Sequence, residues 1–353
     1  MPGPEHLDWD AEALWQRLLP SLPDLSVEVL ASCTSTNTLL LDRIRGINPA
    51  RRQDWRPPGQ SPSGPGRRHS DAQPCLLVAE HQTQGRGRQG KHWQSAAGAS
   101  LTFSLALALA PANVSWSGLS LAVGLALANA LDPPVPGRPP RLGLKWPNDL
   151  LLLDAPGAAG PVVAAGQPSL ACLTVPIGRK LGGILIESVM AGSCRMAVVG
   201  VGLNVMPQAT DALSWGYGCL QEMDPALTAP AVLARVAPAL VQALQRFEQD
   251  GFAPSRPGFE ARDLLRGRAV TTTLPGLPAG IAEGVDDDGT LWLRVDGQRV
   301  AVGSGEVSLR LADAEVSLRL ADAEASLRLA DAEASLRLAS APAAPPEGGA
   351  PGC

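Results

Sequence analysis

No two of the six cysteines, Cys33, Cys75, Cys172, Cys194, Cys219 and Cys353, form a C-x-x-C pair, and no Cys/His set has zinc spacing. Neither a disulfide framework nor a metal site is expected; the thiols read as small hydrophobes kept reduced in a cytosolic protein. No apolar run is long enough to span a bilayer. The longest, Leu119 to Leu131, falls short of the about 20 residues a spanning helix needs. The opening MPGPEHLDWD is acidic and lacks an apolar core, which excludes a signal peptide, and the chain reads as cytoplasmic. Charged residues are 18% and the formal net charge is −5, so no global field draws nucleic acid or an anionic membrane. Anion binding must come from a local cluster. There is no G-x-S-x-G elbow, no G-x-x-x-x-G-K-[ST] phosphate loop, and no triad setting for His6, His69, His81 or His92.

What is present suits a sizeable core: 353 residues, 45% hydrophobic, enough for one large domain and a smaller one. Helical spacing predicts a short helix over 11–19, a buried helix over Leu119 to Leu131, and another over 230–248 with a kink or break at Pro238. Ser35-Thr36-Asn37 before the apolar Leu39 to Leu41 marks a helix start. Strands are expected over Ser26 to Leu30, 75–80, 101–109 (period two), 142–153 (strand, turn, strand), Leu181 to Ser188 and Met196 to Val205. After about residue 265, short segments alternate with Gly/Asp turns, as in a small all-β barrel. Two Pro/Gly-rich stretches, 46–74 and 155–178, read as surface insertions. The arginines of the first (Arg51, Arg52, Arg56, Arg67 and Arg68) have no aromatic platform or recognition helix beside them. The end is a nine-residue repeat: VSLRLADAE at 307–315 and 316–324, ASLRLADAE at 325–333, and ASLRLASAP at 334–342. It carries none of the fixed glycines of solenoid repeats and reads as a duplicated final barrel strand with no catalytic role for the extra copies.

Four segments carry chemistry. Gly85, Gly87 and Gly90 satisfy G-x-G-x-x-G, yet the following KHWQSAAGAS cannot open the helix a dinucleotide fold requires. Glycines that let backbone approach a ligand, interleaved with Arg86, Arg88 and nearby Lys91, suit an anionic, phosphate-bearing ligand; an exposed basic hairpin tip fits equally well. Lys145 in KWPND lies among apolar strand residues, where an unpaired ammonium is costly. Its partner is either an anion in a cleft or Asp149 as a structural salt bridge. Arg179 to Glu187 holds the paired glycines Gly182 and Gly183 within a strand, and GVGLNV at 200–205 places Asn204 at a strand end.

In this order, STN at 35–37, AEHQTQGRGRQGKHW at 79–93, KWPNDLLL at 145–152, RKLGGILIE at 179–187 and GVGLNV at 200–205 resemble the biotin–protein ligase family over residues 26–310. The resemblance implies an α+β fold: a mixed-sheet catalytic domain packed with helices (1–265), then a small C-terminal SH3-like β-barrel (266–312) and a repeat tail (313–353). It implies biotin and ATP with Mg²⁺ as co-substrate and ion, biotinyl-5′-AMP as intermediate, and a biotin carboxyl carrier domain of a carboxylase as partner. Ser35, Thr36, Asn37 and Gln82 would hold the biotin ring; Arg86, Gly87, Arg88 and Lys145 would meet its carboxylate and the phosphate. Arg88, Trp93, Asn148, Lys180, Gly183 and Asn204 would serve the nucleotide, with Arg88 and Lys145 as the catalytic pair. A homodimer is left open. Some members carry an N-terminal winged helix; only about 25 residues precede the resembling region here, too few for such a domain, so no operator binding is expected. The rivals are a lipoate ligase-like adenylating enzyme and a non-enzymatic binding module.

Overall fold

The computed structural model describes residues 7–46, 73–109, 116–154, 178–191, 193–208, 216–277, 279–303, 309–312 and 320. Seven strands form one sheet in the order β1-β2-β3-β7-β6-β5-β4. They are β1 (Ser26–Cys33), β2 (Cys75–Gln82), β3 (Ser100–Ala108), β4 (Leu142–Lys145), β5 (Asp149–Leu152), β6 (Arg179–Ala191) and β7 (Cys194–Asn204). Only β1 and β2 run parallel; every other neighbouring pair is antiparallel, so the sheet is mixed. Among the described residues five helices accompany it: α1 (Ala11–Leu18), α2 (Thr36–Ile44), α3 (Leu119–Leu131), α4 (Ala229–Asp250) and α5 (Arg256–Glu260). This is the α+β class expected. Most of the Arg/Pro-rich insertion, the arginines Arg51 to Arg68, and residues 155–177 lie outside the described residues.

The two faces of the sheet are covered differently. Leu40, Leu41 and Ile44 of α2 pack on Leu77, Ala106 and Val198. The opposite face meets α1, α3 and α4 through Leu14, Leu18, Val123, Leu127, Val236 and Leu240, against Phe103, Leu105, Val199 and Val201. α3 is apolar on most of its surface because it lies between the sheet and α4.

Of the kink or break expected at Pro238, the break is absent: α4 runs uninterrupted through it. A proline lacks the N–H that would bond the carbonyl four residues back. Here that carbonyl, on Ala234, accepts from the Arg17 guanidinium of α1 at 3.1 Å. The orphaned acceptor is satisfied by the neighbouring helix.

After α5 come five antiparallel strands in the order β11-β10-β9-β8-β12: β8 (Ala269–Thr272), β9 (Ala279–Val285), β10 (Leu291–Val295), β11 (Gln298–Val302) and β12 (Leu309–Leu311). The expected small β domain is therefore present. β12 is the first copy of the repeat, and it pairs with β8 through Leu309, Arg310 and Leu311. Apart from residue 320, the later copies lie outside the described residues. A chain ending at Glu315 keeps β12 whole and is expected to unfold at the full-length temperature, measured by thermal unfolding. A lower temperature would show that the later copies contribute.

This second sheet is fastened to the first beside Lys145. Leu144 of β4 donates to the Arg262 carbonyl and accepts from Leu264, at 2.8 and 3.0 Å. The Trp146 indole, fully buried, donates to the Gly289 carbonyl at 3.1 Å. Arg262 and Asp132 form a buried pair at 3.0 Å. Burial works against the Asp132 charge, but bonds from Arg262 and from the Arg141 and Leu142 amides hold its carboxyl below the ordinary range.

Asp263, in the same strap, is the opposite case. Its Oδ1 accepts from the Leu265 amide, while its Oδ2 is buried without a hydrogen-bond partner among the described residues. Burial pushes this carboxyl up to about 6. The folded form holds the proton more tightly than the unfolded chain, so its stabilising contribution is full at low pH and is lost as pH rises through about 6. Asp263→Asn is expected to remove that loss. Relative to the wild type, it should gain about 2 kcal/mol between pH 4 and pH 7.5, from a shift of about two pH units that begins just below pH 4. Urea unfolding of both proteins at the two pH values checks this; an unchanged difference would contradict it.

Candidate active site

A cavity of about 380 Å³ opens on the α2 face of the sheet, between the start of α2, the loop after β2, and the β4–β5 turn. Its floor follows from register. One rung crosses five strands through Lys145, Asp149, Gly183, Gly202 and Thr102. Residues directly opposite in a sheet share a face. The rung therefore sets a cation and a carboxylate at one end and bare backbone in the middle. Gly200 and Gly202 cannot be larger: a Cβ would lie 2.2 Å from Asn37 Oδ1 at Gly200, and 2.5 Å from the Trp93 ring at Gly202. The spacing of GVG thus fits close packing beneath the Asn37 and Trp93 side chains rather than a turn.

The start of α2 is a buried polar network. Ser35 caps the helix, its Oγ accepting from the Thr38 amide at 3.5 Å. Thr36 donates through its amide and hydroxyl to Gln82 Oε1, at 2.8 and 3.2 Å. Asn37 donates both amide hydrogens, to the Leu185 carbonyl (3.2 Å) and Glu187 (3.0 Å), and accepts from Ser104 Oγ at 2.6 Å. All four residues suggested for the biotin ring do come together, but Asn37 is already largely committed to holding β6 and β3 against α2.

The glycine–arginine segment closes on itself as a small hairpin. Trp93 donates to the Gly85 carbonyl (2.9 Å), Gly87 donates to the Lys91 carbonyl (2.7 Å), and Arg86 bridges His92. No helix opens after it, which agrees with the rejection of a dinucleotide motif. The two readings of this loop coexist: it is a hairpin with an exposed tip, and it carries Arg86, Arg88 and Lys91 to the cavity. Arg86 pairs with Glu187 at 3.3 Å. Arg88 is half-buried, and that burial, partly offset by Asp149, lowers its hold on the proton. Trp93 Nε1 is buried with no hydrogen-bond partner among the described residues.

Lys145 is 5% exposed, and its Nζ lies 3.5 Å from Asp149 Oδ2. Lys180 reaches the other oxygen, Oδ1, at 2.8 Å. Burial lowers the affinity of Lys145 for its proton; Asp149 opposes this, and Lys180 and Lys91 add to it. Asn148 donates to the Ile184 carbonyl (2.9 Å), and Asn204 donates to the carbonyls of Lys180 and Gly218 (both 3.0 Å). Every residue proposed from sequence, from Ser35 to Asn204, lines this one cavity.

Residues 68–204 match the biotin/lipoate A/B protein ligase family, and residues 266–310 match the biotin protein ligase C-terminal domain. The bifunctional ligase/repressor BirA of Salmonella typhimurium is 32% identical over 306 residues, covering 84% of this chain and 78% of that protein. This chain belongs to the biotin protein ligase family. The biotin–[acetyl-CoA-carboxylase] ligase of Mycobacterium tuberculosis is 33% identical over 248 residues, covering 67% of this chain and 80% of that one. The fold agrees with a biotin protein ligase from Aquifex aeolicus solved with biotin and ATP. The match has a TM-score of 0.56 at 23% identity and covers 82% of this chain and all of that one.

Sequence reasoning missed three residues of this site, Ser104, Leu309 and Arg310, and left the role of Asp149 undivided. Ser104, fully buried, ties Thr36 to Asn37; its signal was the polar half of the period-two strand, Thr102 and Ser104 between Leu101, Phe103 and Leu105. Asp149 reads from its local sequence only as a turn former or salt-bridge partner. Leu309 and Arg310 of β12 line the cavity, so the first repeat copy supplies the site with a cation. The match of residues 266–310 reaches that same Arg310, so the start of the first copy, 307–310, falls within the family pattern.

Proposed function

We propose that this chain activates biotin with ATP and then transfers it to a lysine of a biotin carboxyl carrier domain. One observation carries the reading: Arg86, Arg88, Lys91, Lys145, Lys180 and Arg310 line a cavity whose described lining has a single carboxylate, Asp149. Fixed cations in a partly closed space stabilise negative charge that gathers in a transition state. A biotin carboxylate oxygen attacks the α-phosphorus of ATP, the α–β bond breaks, and pyrophosphate leaves; the lysine amine of the acceptor then attacks the acyl carbon and AMP leaves. No covalent bond to the enzyme is needed.

In this reading Ser35, Thr36, Asn37 and Gln82 surround the biotin ring at the capped start of α2. Arg86, Gly87, Arg88 and Lys145 meet the carboxylate and α-phosphate. Trp93, Asn148, Lys180, Gly183 and Asn204 border the nucleotide, with the Trp93 N–H available to a ligand acceptor. Mg²⁺ would accompany ATP and supply counter-charge to its phosphates. Residues 1–265 form the catalytic domain and 266–312 the SH3-like domain, which lends Arg310 to the site. Free thiols at Cys33, Cys75, Cys194 and Cys219 and the use of ATP suit a cytoplasmic enzyme. Among the described residues, no helix is long and apolar enough to cross a membrane.

Isothermal titration separates the substrates. Biotin is expected to bind, with nucleotide binding strengthened once it is present. Tight lipoate binding with no biotin binding would overturn the assignment.

A further inference from the structure

Two lysines share one carboxylate in this cavity. Asp149 presents Oδ2 to Lys145 and Oδ1 to Lys180, and it comes from the first residue of β5 while its partners come from β4 and β6. Its backbone is fixed on both sides, since Asp149 registers with Lys145 across β4–β5 and with Gly183 across β5–β6. A Cβ at Gly183 would lie 3.6 Å from Asp149 Oδ1, an ordinary contact, so the carboxylate is placed by its strand register and its two lysines rather than by the glycine. The other charged groups around Lys145 in the cavity lining are cations: Lys180 from β6, Arg86, Arg88 and Lys91 from the hairpin, and Arg310 from β12, with His92 and Tyr217 in the same lining. Removing Asp149 would leave a nearly fully buried ammonium in a lining of like charges.

We infer that Asp149 is a positioning residue for adenylation: it keeps Lys145 cationic and divides the two lysines between the two ends of the charge that develops. Resting on the ligase reading, this places Lys145 at the biotin carboxylate and α-phosphate, and Lys180 toward the departing phosphates. A carboxylate held by two lysines is itself neutralised. It can therefore stand in an anion site without repelling the ligand, whereas a singly paired one would compete with it. Asp149 bonds to no substrate atom; it acts through the lysines.

The expected signature lies in pH, where a purely structural residue would have none. Burial and the neighbouring cations already weaken the Lys145 hold on its proton, and Asp149 is the principal opposing influence. Biotin-dependent pyrophosphate exchange is measured from pH 6.5 to 9 on the full chain. The wild type is expected to show no loss from Lys145 deprotonation in this range. Asp149→Asn should fall progressively as pH rises, by up to tenfold per pH unit, and Asp149→Ala serves as the second neutral variant if Asn does not fold. Asp149→Glu should keep the wild-type profile. In the double variant Lys145→Arg with Asp149→Asn the fall should vanish, because a guanidinium does not deprotonate here. A neutral Asp149 variant that lowers the rate by one constant factor across the range, or leaves it unchanged, overturns the inference. Failure of the ligase reading is distinct: the wild type itself would then show no biotin-dependent exchange at any pH.

Discussion

Lys145→Ala is expected to lower the rate of biotinyl-5′-AMP formation by about 10²–10³, the loss typical of removing one preorganised charge from a developing anion. The reason is burial. An ammonium 5% exposed, at the end of a strand whose other residues are apolar, is costly to keep. Its ion pair with Asp149 spans 3.5 Å, longer than a well-formed charge-assisted bond. Asp149 has a closer partner in Lys180, at 2.8 Å. The Lys145–Asp149 pair is therefore loose, and the ammonium lines the cavity where an anion can meet it. The fold should survive the change, because Lys180 still neutralises Asp149. Lys145→Met, which retains the stem's packing, controls for lost contacts and should lose as much rate as alanine. Pyrophosphate exchange at wild-type rate in either variant would make Lys145 structural.

Arg88→Ala should spare the fold and let the adenylate escape. Arg88 begins the short turn at 88–90, lines the cavity, and also lines an adjoining groove with Trp116, Ser117 and Arg195. A side chain shared by cavity and groove sits where a closing loop must separate the mixed anhydride from water. Losing one hydrogen bond to a charged group costs about 1.5–3 kcal/mol. At about 1.4 kcal/mol per decade, release of biotinyl-5′-AMP should quicken by about 10–100-fold. Rapid filtration of preformed complex measures it. Release and yield equal to wild type would remove Arg88 from the site.

The elements with strong periodicity are legible in the amino-acid order alone. The helix over Leu119 to Leu131, the period-two strand of Leu101 to Leu107 and the Ser35 cap depend on local pattern, and local pattern decides them. The site residues are legible through five segments in order, since each segment alone has a bland reading. What the sequence hides is non-local. Pro238 reads as a break unless Arg17, over two hundred residues away, is known to satisfy Ala234. Asn37 reads as free to bind until Ser104 and Glu187 are seen to occupy it. Asp149 reads as a turn former or as a partner for Lys145 alone, because nothing local shows that β6 returns Lys180 to it. Arg310 lies in a repeat, and its nine-residue period says nothing about which copy meets the cavity.

Native mass spectrometry of the chain incubated with biotin, lipoate and MgATP together tests the central claim most directly. The account predicts a protein complex heavier by one biotinyl-5′-AMP, lost when a biotin carboxyl carrier domain is added and replaced by biotin on its lysine. A complex carrying lipoyl-5′-AMP, or none carrying any acyl-adenylate, would contradict it.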